Sequence, residues 1–261
     1  MSKIPLILLC NDDGIYAPGL SALAEEVSEL GEMVVVAPIS ERSAVGHGIT
    51  LTRPLRVTPV HRSGRLFGYG VSGTPADCIK MALKSLLDRV PDLVISGINP
   101  GPNAGINVIY SGTVSAAVEA AIMGVPSLAV SLDAFTEPDF APAARIASLV
   151  AARILRDGLP EGILLNLNVP ALPLSRIRGF KVTRQGTAGY REVIERRVDP
   201  RGREYYWLGG ELQFSRESPG SDSVALEEGY CSLTPLRFDL TDEEGLNLLR
   251  SWGIERDFPL C

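Results

Sequence analysis

The chain has 261 residues, 45% of them hydrophobic and 21% charged. That balance excludes a disordered chain, and the length favours one large domain, or a main domain with an appendage, over two equal ones. A net charge of −6 and a pI near 5.1 exclude a broad basic surface for duplex nucleic acid but leave room for a local anion site.

Cys10, Cys78, Cys231 and Cys261 are far apart and form no C-x-x-C pair. They imply neither a disulfide framework nor a thiolate zinc site, and a reducing, cytoplasmic setting is expected. The first apolar run is too short for a membrane span or a signal segment, so no membrane partner is expected.

Residues 4–10 are continuously apolar, as in a central parallel strand covered on both faces. A loop over 11–17 leads to a helix over 18–30. Pro18 suits its first turn, Leu20, Leu23, Ala24, Val27 and Leu30 share one face, and Gly31 stops it. Further buried strands are expected at 33–37, 92–96, 127–132 and 163–169. Residues 38–48 and 97–111 read as loops, and 49–71 as short β segments with a turn at 62–64. Helices are expected at 75–87, capped by Thr74, and at 112–123 and 141–155. This alternation predicts an α/β fold over residues 1–170: Rossmann-like, a mostly parallel sheet with helices on both faces.

Residues 171–261 read as a C-terminal extension. It holds β segments at 176–184 and 192–208, a hairpin turn at 199–202 (Asp-Pro-Arg-Gly), and a closing helix over 241–252. Tyr205, Tyr206 and Trp207 crowd one arm of that hairpin. An aromatic arm in water is an exposure problem unless another subunit covers it, so a homo-oligomer is expected.

Ligands of open parallel sheets sit beyond the carboxyl ends of the strands. Three polar loops follow apolar runs, at 11–14, 40–48 and 96–111. They converge if those strands are neighbours. In the first, Asp12 and Asp13 repel each other unless a cation or basic group neutralises them. The plain alternative is a solvated turn in which one of them caps the next helix. Strand-end placement favours a hard divalent cation.

Residues 96–105 (Ser-Gly-Ile-Asn-Pro-Gly-Pro-Asn-Ala-Gly) supply Asn99 and Asn103 among three glycines. Glycines let backbone N–H groups approach an anion, and amides ligate a hard metal or donate to phosphate; a wide turn is the alternative. Ser111 or Thr113 caps the Ala-rich helix, and the N–H groups around Gly112 make a phosphate seat. Ser43 and His47 lie on the second loop. A lone His is more often packed or on the surface than catalytic. Two His in the whole chain leave little material for a multi-His metal site or a Ser-His-Asp triad, and no G-x-S-x-G elbow is present.

Residues 68–73 fit G-x-G-x-x-G, but only two apolar residues precede them. Asp92 would also sit at the start of the next strand rather than its end. An NAD(P)-binding oxidoreductase and a non-catalytic binding protein are therefore the rival readings.

Taken in order, the segments 11–19, 37–38 with 43–50, 73–78, 96–105 and 110–117 resemble the SurE family of metal-dependent 5′/3′-nucleotidases. The segments 199–202 with Tyr206 and Trp207, and 228–236, look alike as well. The resemblance implies one divalent metal ion per subunit, Mg²⁺ or Mn²⁺, held by Asp12, Asp13, Ser43 and Asn99 with water completing the shell. It implies hydrolysis of nucleoside 5′- (and 3′-) monophosphates, and of short polyphosphate in some members. Asn103, Ser111, Gly112 and Thr113 would then hold phosphate oxygens, and Asp12 or Asp13 would orient or deprotonate the attacking water. It also implies a homodimer or homotetramer in which the C-terminal extension exchanges contacts. Two departures stand out. Pro100 and Pro102 stiffen the Asn99 loop, and Tyr110 occupies a position where other members can carry His.

Overall fold

Apolar runs too continuous for a one-sided strand stack into the middle of a single sheet. A computed structural model describes residues 4–187, 189–213 and 218–253. The first half runs β1 (Leu6–Cys10), α1 (Pro18–Val27), β2 (Glu32–Pro38), β3 (Val57–Arg62), β4 (Arg65–Val71), α2 (Pro75–Met81), β5 (Leu93–Pro100), α3 (Asn107–Tyr110) and α4 (Gly112–Ile122). Then follow β6 (Ser127–Asp133), α5 (Ala141–Asp157), β7 (Ile163–Pro170), β8 (Phe180–Val182), β9 (Gly189–Val198), β10 (Glu204–Gln213), α6 (Asp222–Glu227), β11 (Cys231–Arg237) and α7 (Glu243–Ser251).

Nine strands form one sheet in the order β3-β4-β2-β1-β5-β6-β7-β11-β8. The run from β4 to β7 is parallel throughout, while β3 and β11 enter antiparallel to β4 and β7. This is the expected Rossmann-like α/β architecture. Alternate residues of β1 serve opposite faces. Ile7 and Leu9 pack with Leu20 and Leu23 of α1 and with Ile146 and Val150 of α5. Leu8 and Cys10 pack with Cys78 and Ile79 of α2 and with Ala116 and Ala120 of α4. Leu9 is fully buried, so Leu9→Ala should cost about 2–5 kcal/mol.

Several boundaries differ from the expectation. α1 ends at Val27 rather than residue 30, where the Ser28 hydroxyl turns back to the Glu25 carbonyl at 2.7 Å. α2 is α-helical only to Met81 and continues as one wider π turn over Ala82–Leu86. β5 extends into the expected loop, and α3 occupies its far end. In the segment expected to be β at 176–184, only the three residues of β8 are strand. The hairpin is longer than expected, each arm having ten residues, and its arms pair with each other in a separate two-stranded sheet.

α6 and β11 were not expected. Pro235 disguises β11, because proline demotes a strand reading. It is tolerated because pairing with β8 ends at Leu233, two residues earlier. The closing helix starts at Glu243 rather than 241 and is capped by Asp242, whose side chain accepts from Gly245 N–H. Cys10, Cys78 and Cys231 are free and buried, and Cys261 lies outside the described residues. Among the described residues no helix is long and apolar enough to cross a membrane.

Candidate active site

Strand adjacency assembles the polar loops. β1 lies between β2 and β5, with Leu9 beside Val35 and Cys10 beside Ser96. The loops that follow these three strands therefore leave the same rim. A cleft of about 270 Å³ opens there, lined by Asp12, Ser43, Asn99, Asn103 and Ser111 together with Asn107, Tyr110 and Phe135. A larger groove of about 500 Å³ between α5 and β8 is lined mostly by aliphatic side chains and gathers none of these groups.

Asn11 shapes the first loop. Its amide donates to the Gly14 carbonyl at 3.0 Å and its Oδ1 accepts from Gly14 N–H at 3.2 Å. Neither Asp caps α1, whose N-cap is Ala17 without a side-chain bond. The plain reading of the acidic pair as a helix cap is thereby set aside. Asp12 is only 4% exposed, and the Thr113 hydroxyl donates to its Oδ1. Burial pushes the Asp12 carboxyl above its ordinary range, against the lowering effect of the Thr113 hydrogen bonds, and the Glu41 charge adds to the rise. Asp13 is pushed up to about 7, first by burial and then by the charges of Asp12 and Glu41. Among the described residues no Lys, Arg or His pairs with either carboxylate.

α4 delivers the opposite wall. Ser111 is its cap, accepting from Val114 N–H at 3.1 Å, so of the two expected candidates it is Ser111 and not Thr113 that caps. That leaves the Gly112 and Thr113 N–H groups outside the cap bond. Gly112 is required by contact: a Cβ there would stand 2.7 Å from Asp12 Cβ and 2.9 Å from its Oδ2.

The third loop starts at an irregularity. The register of β5 on β6 shifts between Ser96 and Asn99, and Gly97 sits at φ +140 with no room for a Cβ, which would meet the Val130 carbonyl at 2.4 Å. Asn99 Nδ2 donates to the Gly101 carbonyl at 2.7 Å and the Pro100 carbonyl at 3.2 Å, leaving Oδ1 as the outward acceptor. The Asn103 peptide is clamped: its N–H donates to Asn168 Oδ1 at 2.8 Å, and its carbonyl accepts from Asn166 Nδ2 at 2.8 Å and Asn168 Nδ2 at 3.2 Å. Its own amide donates one hydrogen bond to Ser131 Oγ at 2.8 Å and keeps a second proton. The Ser43 hydroxyl is exposed and donates to Glu41 Oε1 at 2.6 Å.

The family description "Survival protein SurE" matches residues 7–192. The chain belongs to the SurE family. It is 54% identical over 245 residues to "5′-nucleotidase SurE" of Syntrophus aciditrophicus, a match covering 94% of this chain and 92% of that one. With "5′-nucleotidase SurE" of Syntrophobacter fumaroxidans it is 50% identical over 248 residues, 95% and 99% of the two chains. The crystal structure of the SurE protein from Aquifex aeolicus shares 40% identity and a TM-score of 0.84, covering 95% of this chain and 100% of that one. The family resemblance drawn from the motifs therefore holds along nearly the whole chain.

In this SurE chain Asp12, Ser43, Asn99, Asn103 and Ser111 share the cleft wall, while Gly112 and Thr113 touch Asp12 from behind. Asp13 is half-buried beside them. Among the described residues no three His, Cys, Asp or Glu side chains cluster to hold a metal; the oxygens that could do so here are the Asp12 and Asp13 carboxylates, the Ser43 hydroxyl and the Asn99 amide oxygen. That set suits a hard, oxygen-seeking ion.

The SurE motifs pass over Glu41, Asn107, Phe135 and Glu119. Phe135 follows the carboxyl end of β6, a place the strand-end rule marks. Glu119 is a lone acid on an Ala-rich helix and is 3% exposed. His47 Nε2 lies 2.9 Å from Glu119 Oε2, and Lys80 donates to Oε1 of the same carboxylate. The 68–73 glycines lie mostly within β4, in line with β2, not in a strand-to-helix turn, so nothing there seats a dinucleotide.

Proposed function

We propose that the chain is a 5′-nucleotidase, a phosphomonoesterase that hydrolyses nucleoside 5′-monophosphates, and 3′-monophosphates, to nucleoside and phosphate. One Mg²⁺ or Mn²⁺ per subunit would be held by Asp12, Asp13, Ser43 and Asn99. The observation that carries this reading is the acidic pair, Asp12 buried and Asp13 half-buried, with no cationic partner among the described residues. Two adjacent carboxylates withdrawn from water are costly unless a cation compensates them. When bound, the ion supplies charge neutralisation and Lewis-acid activation.

The chain's own groups do the rest. The Gly112 N–H, the Ser111 rim and the free Asn103 amide proton would hold phosphoryl oxygens, while Thr113, expected to share that task, spends its hydroxyl and N–H on Asp12. Asp12 or Asp13 would orient or deprotonate the attacking water; without metal, burial and then the charges of Asp12 and Glu41 push the Asp13 carboxyl up to about 7. The cleft lining has no Lys or His, so the leaving alkoxide takes its proton from solvent. Tyr110 and Phe135, 58% and 63% exposed, give the cleft an aromatic mouth for the nucleoside. Short polyphosphate is a second substrate for the same phosphate seat.

Residues 1–170 supply every metal and phosphate group, and residues 171–261 supply the hairpin. Ile194, Trp207 and Leu208 are 68%, 58% and 67% exposed on it, which supports a subunit contact and a homodimer or homotetramer. Buried free thiols accord with a cytoplasmic location.

Phosphate release from 5′- and 3′-nucleoside monophosphates and tripolyphosphate, with Mn²⁺ or with EDTA, tests the proposal. Release should need the metal and return on its replacement. Undiminished release in chelator removes the metal, and no release from any nucleotide removes the enzyme.

A further inference from the structure

Little apolar burial holds the loop that carries Ser43. Ser43, Ala44 and Val45 are exposed, and Ala44 sits at φ +54, a backbone region non-glycine residues seldom enter. Polar tethers fix the loop instead. Arg42 N–H donates to the Asp12 carbonyl at 2.7 Å, and Gly46 N–H to the Tyr110 carbonyl at 3.0 Å. Further on, the Thr74 hydroxyl donates to the Gly48 carbonyl at 2.7 Å, and Thr50 N–H to Asp77 Oδ1 at 3.0 Å. Two side chains anchor the loop as well: Arg42, which donates to the Ser72 carbonyl at 3.5 Å, and His47, on the buried Glu119.

Glu119 lies seven residues along α4 from Gly112, about 10 Å by helical rise. A carboxylate so buried persists only with partners. Burial pushes its carboxyl up, but the hydrogen bonds and charges of His47 and Lys80 outweigh that and hold it below its ordinary value. It therefore stays an ionised acceptor, gripped by Lys80 of α2 on one oxygen and by His47 on the other. A single rigid helix thus sets two things: Thr113 against Asp12 at one end, and the Ser43 loop through Glu119 and His47 further along.

We propose that Glu119 is a positioning residue for the metal site: by gripping His47 it fixes how Ser43 stands relative to the acidic pair, and Lys80 keeps it aimed. This rests on the proposed role of Ser43 as a metal ligand. A buried ion cluster that served stability alone would lower unfolding resistance without touching metal affinity.

Calorimetric titration of the full metal-free chain with Mn²⁺ separates the two roles, with urea unfolding run in parallel. His47→Ala and Glu119→Gln should each raise the Mn²⁺ Kd about tenfold. At saturating Mn²⁺ their kcat should stay within about twofold of wild type, because every ligand remains. Lys80→Arg should keep the wild-type Kd. If Glu119→Gln fails to fold, His47→Ala still decides, since that side chain is 32% exposed and its loss leaves no core cavity. An unchanged Kd in His47→Ala, at whatever stability, overturns the proposal. A wild-type chain that binds no Mn²⁺ overturns it too, by removing the role of Ser43, and that failure shows before any substitution is made.

Discussion

The Thr113 hydroxyl donates a hydrogen bond to Asp12 Oδ1 across 101 residues of sequence. It ties the first turn of α4 to the loop after β1 and leaves Asp12 Oδ2 for a ligand. Asp12→Asn keeps the volume and can keep the Thr113 bond while removing the charge. Phosphate release should fall below about 1% of wild type, because a neutral amide cannot replace an anionic ligand. The melting temperature should hold or rise, because an uncompensated buried charge is gone. Thr113→Val should instead destabilise by about 1–3 kcal/mol, the cost of a buried acceptor losing its donor. A folded Asp12→Asn protein with wild-type turnover would count against the site.

Asp13 makes the metal-free protein sensitive to pH. Its carboxyl titrates at about 7, against an ordinary value of 3.8, because burial and then the charges of Asp12 and Glu41 disfavour ionisation. Between those limits the folded chain keeps a proton that the unfolded chain has lost. The stability this residue contributes is therefore whole below about pH 3.8, declines as pH rises, and is gone once pH passes about 7. Asp13→Asn abolishes that titration. Urea midpoints in EDTA should show the variant pulling ahead of wild type through this window and running parallel above it. Mn²⁺ should close the gap. A difference that does not change with pH would refute the assignment.

Gly112 separates a packing role from a chemical one. An added methyl would stand 2.7 Å from Asp12 Cβ, closer than folded proteins tolerate, so α4 or the acidic loop must shift. Gly112→Ala should weaken Mn²⁺ binding about 10- to 100-fold, measured by titration calorimetry.

The central strands were legible because both of their faces are covered, which leaves unbroken apolar runs such as Leu6–Cys10. Strand ends in a parallel sheet singled out Asp12 and Asn99, and the cap of an Ala-rich helix singled out Ser111; the three line one cleft. Long-range partners were not. Nothing local to Glu119 says that His47 and Lys80 will meet it, since those contacts span 72 and 39 residues. β11 was hidden because Pro235 breaks its reading as a strand, and its pairing with β7 is a contact across more than sixty residues of chain. Phe135 escaped although it follows a strand end like the others and has Asp133, Glu137 and Asp139 around it, because a single aromatic in a loop matches no motif of its own.

The aromatic mouth makes a prediction about substrate binding. Phe135 lies against Gly101, where an added Cβ would meet its Cε1 at 2.4 Å, so the ring is braced while remaining 63% exposed. A base stacked on such a ring gains about 1–3 kcal/mol whatever its identity. Phe135→Ala should raise KM for all four nucleoside 5′-monophosphates by about five- to hundredfold with little change in kcat. KM for tripolyphosphate, which has no base, should not move. Equal losses on both substrates would mean that Phe135 shapes the phosphate seat instead.

Asp222 connects the C-terminal segment to the site. It is fully buried, and its Oδ2 accepts from Gly105 N–H at 3.0 Å while its Oδ1 accepts from Gly186 N–H at 2.9 Å and Ser223 N–H at 2.9 Å. Gly105 follows Asn103 by two residues, so α6 braces the loop proposed to hold phosphate. In Asp222→Asn one oxygen becomes an amide that faces a backbone donor. Whichever way the amide turns, at least one buried N–H loses its acceptor, at a cost of about 1–3 kcal/mol. The melting temperature should fall. Inorganic phosphate, measured as a competitive inhibitor of nucleotide hydrolysis, should bind more weakly in the variant. A lower melting temperature with an unchanged phosphate inhibition constant would confine Asp222 to stability and leave the Asn103 loop to its contacts with Asn166, Asn168, Ser131 and Gln185.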